Sequence, residues 1–373
     1  MRRVIIEYVR YYDMEGKEKT IGGIQTYIMN LAKLCSKHNY EVIILQPANR
    51  DFEIKENGYT VVGIKCNTEK FSRISKVLIK KAEFLYNANT DILIFGSSVL
   101  CRKTNFKKII SIQHGIYWDI PWIKSFRKLP DICTIILRGI QALKELKSSS
   151  NANKIVCVDY NYINWYRCQT LRRDIELISI PNFVDTSRKY ISKNKEGNIS
   201  IIFARRFEEI RGSRLIGEVF TRILDNNDNV NITIAGSGKD EKLLKQVFKE
   251  YEDRVNFTKY LPDESIELHS NYDIAVVPSI GSEGTSLSLL EAMWAGCAVV
   301  CTNVGGMTDI VLDQYNGIMV QPNVKELIDK IQELINDEQK RKYLIQNARN
   351  TVDSSFSQKI WEKRWINVIN SFE

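Results

Sequence analysis

The chain has 373 residues, of which 44% are hydrophobic and 26% charged, a balance typical of a soluble globular protein with two domains. No apolar run approaches the length of a membrane span, and the start is too short in its apolar part for a signal peptide, so a cytoplasmic location is expected. The eight cysteines form no CxxC pair, which argues against a zinc site or a disulfide framework.

Positive charge is concentrated in the first half of the chain. Residues 1–183 carry a net charge of +12, and the remainder carries −4. A basic surface attracts anionic lipid, nucleic acid or a phosphorylated substrate, and the charge alone does not choose between them. A helix predicted over 71–86 contributes Arg73, Lys76 and Lys80. Packing of this helix on its own sheet is the commoner structure, and contact with an anionic membrane surface is the alternative.

Short β-branched runs alternate with helical patterns through the first half. Strands are predicted at 3–9, 41–46, 61–64, 92–95, 109–115, 155–159 and 178–181. The alternation of strands with helices predicts a mostly parallel sheet covered by helices.

Two features of this half point to a ligand. Gly22 and Gly23 stand where a strand connects to a helix, and they permit either close approach of the backbone to a ligand or simply a tight turn. His114 stands at the carboxyl end of a predicted strand, where ligands bind in open α/β sheets. A hydrogen-bonded structural histidine remains the alternative.

The second half repeats the alternation. Strands are predicted at 200–204, 231–235, 255–257, 274–278 and 297–301, and helices at 263–270, 286–295, 325–336, 338–351 and 357–372, with another beginning at 213. Arg205, Arg206 and Arg211 follow the first of these strands, and guanidinium forks match phosphate oxygens. The segment GSGK that begins at Gly236 lacks the upstream glycine and following hydroxyl residue of a P-loop.

Two carboxylates flank the start of the predicted helix 286–295. Glu283 lies in the preceding loop, and Glu291 lies inside the helix. The free N–H groups at a helix start suit an anionic ligand such as phosphate, so the two glutamates can flank one ligand.

The stretch EGTSLSLLEAMWAGCAVVCTNVGGMTDIV, which begins at Glu283, resembles the E-x7-E region of the retaining glycosyltransferases of family 4. Five further segments resemble elements of that family in the same order: IGGIQTYIMNLAKLCSKHNYEVIIL, SIQHG, IPNFVD, FARRFEEIRG and AGSGKDEKLL. The resemblance implies an α/β protein of the GT-B fold, with two Rossmann-like parallel-sheet domains facing across a cleft. It places an acceptor-binding domain at 1–185, a nucleotide-sugar-binding domain at 186–355, and a C-terminal helix at 356–373 that packs back on the first domain.

The resemblance also implies roles for individual residues. His114 and Glu283 are the expected catalytic residues, with His114 near the reacting side of the sugar and Glu283 at the sugar hydroxyls. Glu291 is expected to bind the ribose. The other expected donor-binding residues are Arg206 and Arg211 for the diphosphate, the backbone of Gly284, Thr285, Ser286 and Leu287 for its oxygens, and Gly22 and Gly23 for close approach. Fixed positive groups then stabilise the leaving group, so no metal or other cofactor is expected.

Three departures from the family pattern stand in this chain. Arg211 replaces the usual lysine, and residues 284–286 replace the usual Gly-Phe-Gly. Arg205 replaces the usual glycine, which leaves open whether Arg205 or Arg206 faces the phosphate; alignment on Phe207 favours Arg206.

The implied activity is retaining transfer of a sugar, of the hexosyltransferase type, from a nucleotide-sugar donor to a glycan or lipid-linked acceptor. Its expected setting is cell-surface polysaccharide or glycolipid biosynthesis at the inner face of a membrane, with an anionic membrane surface, but no nucleic acid, as a partner. A nucleotide-sugar epimerase and a non-catalytic nucleotide-sugar-binding partner of another transferase remain as alternatives. The acceptor is expected to contact loops 11–19 and 117–127, whose sequences do not identify it.

Overall fold

The computed structural model describes residues 2–20, 22–66, 70–117, 130–170, 174–187, 197–281 and 283–372. The chain divides into two compact units. Unit 1 contains the described residues of Met1–Gly115, Leu129–Pro181 and Glu362–Glu373, and unit 2 those of Ile116–Lys128 and Asn182–Trp361. Each unit has a mostly parallel sheet with helices, as the alternation of strand and helix patterns predicts.

Unit 1 is built on an eight-stranded sheet with the order β3-β4-β2-β1-β5-β6-β7-β8. Its elements are β1 (Arg3–Glu7), α1 (Gly23–Lys37), β2 (Glu41–Ala48), β3 (Phe52–Glu56), β4 (Tyr59–Lys65), α2 (Phe71–Leu85), β5 (Ile92–Phe95), β6 (Lys108–Gln113), α3 (Asp131–Ser149), β7 (Lys154–Cys157), α4 (Tyr160–Gln169) and β8 (Glu176–Ser179). The central strand β1 pairs in parallel on both sides, with Val4 opposite Val42 and Ile92. Among the described strands of unit 1, only β3 runs antiparallel, against β4, and its charged sequence FEIKE was not predicted as a strand.

The helix α2 packs on its own sheet through the apolar side of its sequence. Ile74, Leu78 and Ala82 are buried, whereas Lys76 and Lys80 between them are exposed. These central apolar residues pack inside unit 1, whereas Phe71, Phe84 and Leu85 at the ends of the helix stay exposed.

Unit 2 is built on a six-stranded parallel sheet with the order β11-β10-β9-β12-β13-β14. Its elements are β9 (Ile199–Ala204), α5 (Ser213–Asn226), β10 (Val230–Ala235), α6 (Glu241–Val247), β11 (Val255–Thr258), α7 (Ser265–His269), β12 (Ile274–Val277), α8 (Leu287–Ala295), β13 (Ala298–Thr302), β14 (Ile318–Val320), α9 (Val324–Asn336) and α10 (Glu338–Ser355). This strand order is that of the doubly wound Rossmann fold, in which the order reverses between the first and fourth strands.

The sheet of unit 2 is buried on both faces, and alternate residues of one strand serve the two sides. Ile201 and Phe203 of β9 belong to one apolar cluster, and Ile202 and Ala204 belong to the other. Burial on both faces explains why the strands read as continuous apolar runs.

The last helix, α11 (Gln358–Asn370), contributes to both units, because the boundary falls after Trp361. Within unit 2, the rings of Trp361 and Phe183 lie with centroids 4.6 Å apart. Within unit 1, the buried Trp365 donates from Nε1 to the Tyr27 hydroxyl at 2.8 Å. Across the described ranges, no helix is both long and apolar enough to cross a bilayer.

Candidate functional site

The reversal of strand order in unit 2 lies between β9 and β12. These strands are parallel neighbours, with Ile202 opposite Ala275, so the residues that follow them meet at one edge of the sheet. The connections from β9 and β12 leave toward opposite sides, which opens a crevice of the kind in which α/β proteins bind ligands. Arg205 follows β9, and Ser279 follows β12.

Arg205, Arg211 and Glu283 form a charged cluster at this edge. Arg205 Nη2 lies 2.9 Å from Glu283 Oε1, and Arg205 Nη1 lies 2.5 Å from Ser279 Oγ. Glu283 Oε2 accepts from Ser279 Oγ at 2.8 Å and from the Arg211 guanidinium. The side chains of Arg205 and Glu283 are only 6% and 7% exposed, so two cations hold a carboxylate that is almost fully removed from water.

The electrostatics of the cluster follow from burial and from this pairing. Burial raises the pKa of Glu283, but the charges of Arg205 and Arg211 outweigh it, so the net pKa lies below the usual range. Burial also lowers the pKa of Arg205, and Glu283 opposes that shift. The carboxylate is therefore ionised and nearly saturated with hydrogen-bond donors.

Arg206, which the alignment favours for the phosphate, has a different environment. Its side chain is 67% exposed, and its ion pair is with Glu208 at 3.8 Å. The structure thus brings Arg205 and Arg211, but not Arg206, to Glu283. The assignment of Arg206 to the phosphate stays a prediction. The exposed guanidinium of Arg206 can still donate to a ligand, whereas that of Arg205 already donates to Glu283 and Ser279.

Glycines pack closely against the backbone of the two loops that contain this cluster. Gly305 has a φ of +54°, and a Cβ there would lie 2.0 Å from the carbonyl oxygen of Glu283. The amide of Gly306 donates to the same oxygen at 2.9 Å. Gly236, with a φ of +135°, approaches the carbonyl of Arg205 just as closely. The Gly-Gly and GSG segments therefore position Glu283 and Arg205 through backbone packing, which only glycine permits.

Glu291 lies in α8 and is not part of this cluster. Glu291 accepts a hydrogen bond from Ser265 Oγ at 2.6 Å, and burial raises its pKa against the effect of that bond. Its environment therefore differs from that of Glu283, which has two cationic partners. Ser265 was not singled out in the sequence, because an isolated serine at the start of a short helix has no distinguishing pattern.

Residues 284–287, whose backbone amides are the predicted donors, lead into α8. Thr285 and Ser286 are buried, and Leu290 closes the first helical turn by donating to the Ser286 carbonyl at 3.1 Å. The first amides of a helix have no acceptor within the helix and therefore suit an anion. Asn182 Nδ2 donates to the Thr285 carbonyl at 2.6 Å and ties this loop to the beginning of unit 2.

His114 occupies the corresponding edge of the sheet in unit 1. Its Nε2 lies 2.9 Å from the carbonyl oxygen of Gly96, which follows β5, and its ring meets Tyr27 edge-on with centroids 5.5 Å apart. A carbonyl oxygen only accepts, so Nε2 carries the proton when the ring is neutral. Burial lowers the pKa of His114 to about 4, and the bond to Gly96 opposes this only in part.

Tyr27 links His114 to the C-terminal helix. The Trp365 indole donates to its hydroxyl, which itself donates to the Ile180 carbonyl at 3.3 Å. Neither Tyr27 nor Trp365 was singled out as a site residue. In the sequence, this contact was indicated only by the expected packing of the C-terminal helix 356–373 on the first domain.

The glycines predicted to approach a donor lie at the start of α1. Gly22 has extended backbone with a φ of 175°, and Gly23 is the first residue of the helix. Of the loops expected to contact an acceptor, residues 118–127 fall outside the described residues. Over the residues that the structure describes, no group of three or more His, Cys, Asp or Glu is placed to hold a metal ion.

The two parallel-sheet units define the GT-B fold, and this predicted fold class is confirmed by known structures. One of them is Anabaena Alr3699/HepE in complex with UDP, with a TM-score of 0.72, 14% identity and complete coverage of both chains. Residues 184–351 match the family model described as Glycosyl transferases group 1.

Two curated relatives carry the similarity over most of the chain. An uncharacterised glycosyltransferase of Methanocaldococcus jannaschii is 26% identical, and the alignment covers 92% of this chain and 92% of the relative. The capsular polysaccharide biosynthesis glycosyltransferase CapM of Staphylococcus aureus is 29% identical, with coverage of 88% of this chain and 89% of the relative. The family model and the names of these relatives support a transferase.

Proposed function

We propose that the chain is a retaining glycosyltransferase that moves a sugar from a nucleotide-sugar to a glycan or lipid-linked acceptor. The observation that carries the proposal is the Arg205–Glu283–Arg211 cluster beside the start of α8, at the edge where the strand order of unit 2 reverses. Such an edge binds nucleotides in doubly wound sheets, and the guanidinium groups of Arg206 and Arg211 there suit a diphosphate. The similarity to a structure that contains UDP supports a nucleotide-sugar as donor.

The donor-side roles follow from the environment of each group. Arg206 and Arg211 would bind the diphosphate, together with the amides of residues 284–287, and would stabilise the charge that develops as the diphosphate leaves. Glu291 would accept from ribose hydroxyls. Glu283 would orient the sugar hydroxyls and the two guanidinium groups that hold it.

We propose direct transfer without a covalent sugar–enzyme intermediate. Glu283 is already occupied by Arg205, Arg211 and Ser279, so its oxygens are poor nucleophiles. The bond from the anomeric carbon to the diphosphate breaks, and the acceptor oxygen forms its bond on the same face. The acceptor proton passes to the departing phosphate oxygen. His114, whose Nε2 proton is held by Gly96, would accept a hydrogen bond at Nδ1 from the sugar and not the acceptor proton.

The experiment is incubation with UDP-, GDP- and ADP-sugars and a set of glycan and lipid-linked acceptors. We expect a product whose anomeric configuration, read by NMR, equals that of the donor. Glu283→Gln and His114→Ala should lower turnover at least tenfold, whereas Glu218→Gln, on the exposed surface of α5, should leave it unchanged. Wild-type turnover in both site variants would contradict the roles, and conversion of the donor without an acceptor would favour an epimerase.

The proposed setting is cell-surface polysaccharide or glycolipid biosynthesis, as the name of the CapM relative suggests. We propose that the protein works in the cytoplasm as a peripheral protein at the inner face of the membrane. The basic first half of the chain, with its net charge of +12 over residues 1–183, supports this location.

A further inference from the structure

The helix α3 of unit 1 presents aliphatic side chains to solvent. Along its sequence, the exposed fractions are 62% for Ile132, 61% for Ile135, 54% for Ile136, 42% for Ile140 and 64% for Leu143. At 100° per residue these five positions fall within an arc of about 140°, so they form one continuous stripe roughly 16 Å long. We call this set the α3 stripe.

The opposite side of α3 is polar and attaches the helix to unit 1. Its buried residues are Glu145, Ser148 and Ser149. Ser148 Oγ contacts the carbonyl of Ser98 at 2.8 Å, and Tyr162 donates to Ser149 Oγ at 2.9 Å. An amphipathic helix of a soluble protein normally buries its aliphatic side and exposes its polar side. The orientation of α3 is the reverse, so its packing within unit 1 does not account for the stripe.

The exposed apolar surface of the molecule is concentrated in this part of unit 1. Among the described residues, eight of the fourteen most exposed large apolar side chains lie on α2 and α3. Both helices pack on the short turn Ser98–Leu100, since Ser75 of α2 donates to the Leu100 carbonyl and Ser148 of α3 contacts the Ser98 carbonyl. The two helices are therefore neighbours on the same side of the sheet.

Positive charge accompanies the stripe. Lys147 continues it at the C-terminal end of α3, Lys144 lies beside it, and both are exposed. The neighbouring helix α2 exposes Arg73, Lys76 and Lys80. Aliphatic residues on one face of a helix with lysines at the edge are the pattern of a helix that lies in the interface of an anionic bilayer.

We infer that the α3 stripe is the membrane-docking surface of this protein and that its partner is a bilayer containing anionic lipid. The aliphatic side chains enter the boundary between headgroups and acyl chains, and Lys144 and Lys147 bind the lipid headgroups. This inference deepens the proposed peripheral location, and it differs from the sequence-based alternative because it assigns the aliphatic contact to α3 rather than to α2, whose central apolar residues Ile74, Leu78 and Ala82 are buried in unit 1. It does not depend on glycosyl transfer.

The test is sedimentation of the full chain with vesicles of phosphatidylcholine alone and of phosphatidylcholine mixed with phosphatidylglycerol. The wild-type protein should bind the mixed vesicles at least tenfold more tightly, and added salt should weaken the binding. Glutamine is a good helix former, so Ile135→Gln with Leu143→Gln should leave α3 folded while lowering the binding about tenfold or more.

The matched control is Leu243→Gln with Leu312→Gln in unit 2, where the two leucines are 42% and 64% exposed. This control should bind vesicles as the wild type does. A second variant, Lys144→Gln with Lys147→Gln, should lose the preference for anionic lipid but not all affinity. Circular dichroism and thermal unfolding check that every variant is folded.

Three results would overturn the inference. These are equal binding by the α3 variant and the wild type, no vesicle binding by the wild type, and a lipid-free dimer that the α3 variant dissociates, which would make a second copy the occupant of the stripe. Turnover with a soluble acceptor separates this inference from the proposed activity. The α3 variant should retain that turnover, and a protein without any turnover that still binds vesicles through α3 would refute only the proposed activity.

Discussion

Arg205 Nη2 lies 2.9 Å from Glu283 Oε1, and neither side chain is more than 7% exposed. Breaking a buried ion pair costs far more than breaking an exposed one, because the remaining charge has lost its compensation. The pair thus ties the loop after β12 to the end of β9 and fixes the direction of the Glu283 carboxylate.

Arg205→Gln should destabilise the protein by about 2 kcal/mol. This is less than the cost of leaving the Glu283 carboxylate without any cationic partner, because Arg211 still pairs with it. Arg206→Gln changes a side chain that is 67% exposed and should alter stability by no more than about 0.5 kcal/mol. If Arg206 binds the diphosphate, its loss should raise the KM for the donor instead. Denaturant unfolding and donor kinetics measure the two effects, and a reversed pattern would assign the phosphate to Arg205.

The two glutamates should affect different steps. Glu291→Gln should weaken donor binding about tenfold, because a hydrogen bond to a charged group contributes on the order of 1.5 kcal/mol, and should change kcat little. Glu283→Gln should lower kcat more than donor affinity. Calorimetric titration with UDP and steady-state kinetics separate the effects, and equal losses of donor affinity in both variants would refute the division.

His114 should not titrate near its usual pKa of about 6.5. Because burial lowers its folded pKa to about 4, the unfolded chain takes up a proton first as the pH falls. Its contribution to stability is therefore fully present above about pH 6.5 and is lost as the pH falls toward 4. The free energy of unfolding should decline over this window less steeply in His114→Gln than in the wild type. Parallel curves would contradict the burial of the ring.

Activity offers an independent check on the same histidine. The neutral ring of His114 persists down to about pH 4. The profile of kcat/KM against pH should therefore show no step near pH 6.5 that is due to His114, and His114→Gln should not change the shape of the profile there. Nitrogen NMR should find the proton on Nε2, where the Gly96 carbonyl accepts it. A proton on Nδ1 would instead require a different partner for Nε2.

Trp365→Phe should lower turnover several-fold without touching the expected substrate-binding residues. The substitution removes the Nε1 donor to Tyr27, whose ring packs edge-on against His114. Trp361→Phe, a neighbouring aromatic change on the same helix, should affect turnover less, since its ring packs on Phe183 in unit 2. A shift of the His114 pKa in Trp365→Phe but not in Trp361→Phe would identify Tyr27 as the link between Trp365 and His114. Identical turnover in both variants would contradict that link.

Chelation should leave the reaction unchanged. Guanidinium groups and helix amides supply fixed positive charge at the proposed diphosphate site, so EDTA should not lower turnover and added Mg²⁺ should not raise it. Donor consumption measured in metal-depleted buffer provides the check. Restoration of a lost activity by a divalent ion would contradict the expectation.

Much of the fold follows from local sequence patterns. The apolar β-branched runs predicted most strands, and their alternation with helices predicted parallel sheets, which the structure confirms. The strand β3 was missed because its sequence, FEIKE, has too many charges to read as a strand and is held by antiparallel pairing with β4. Its identity as a strand depends on its neighbour.

The sequence by itself determined most of the strands and their alternation with helices, but not β3, β14, α3, α4 or α6. It also singled out His114, Glu283 and Glu291 as candidate site residues. Only the tertiary structure decided that Arg205 rather than Arg206 meets Glu283, because that contact depends on β9 and β12 being adjacent in the sheet. It also decided that α3 turns its aliphatic side outward. Helical periodicity separates the two faces of a helix, but which face is buried depends on the surface against which the helix packs.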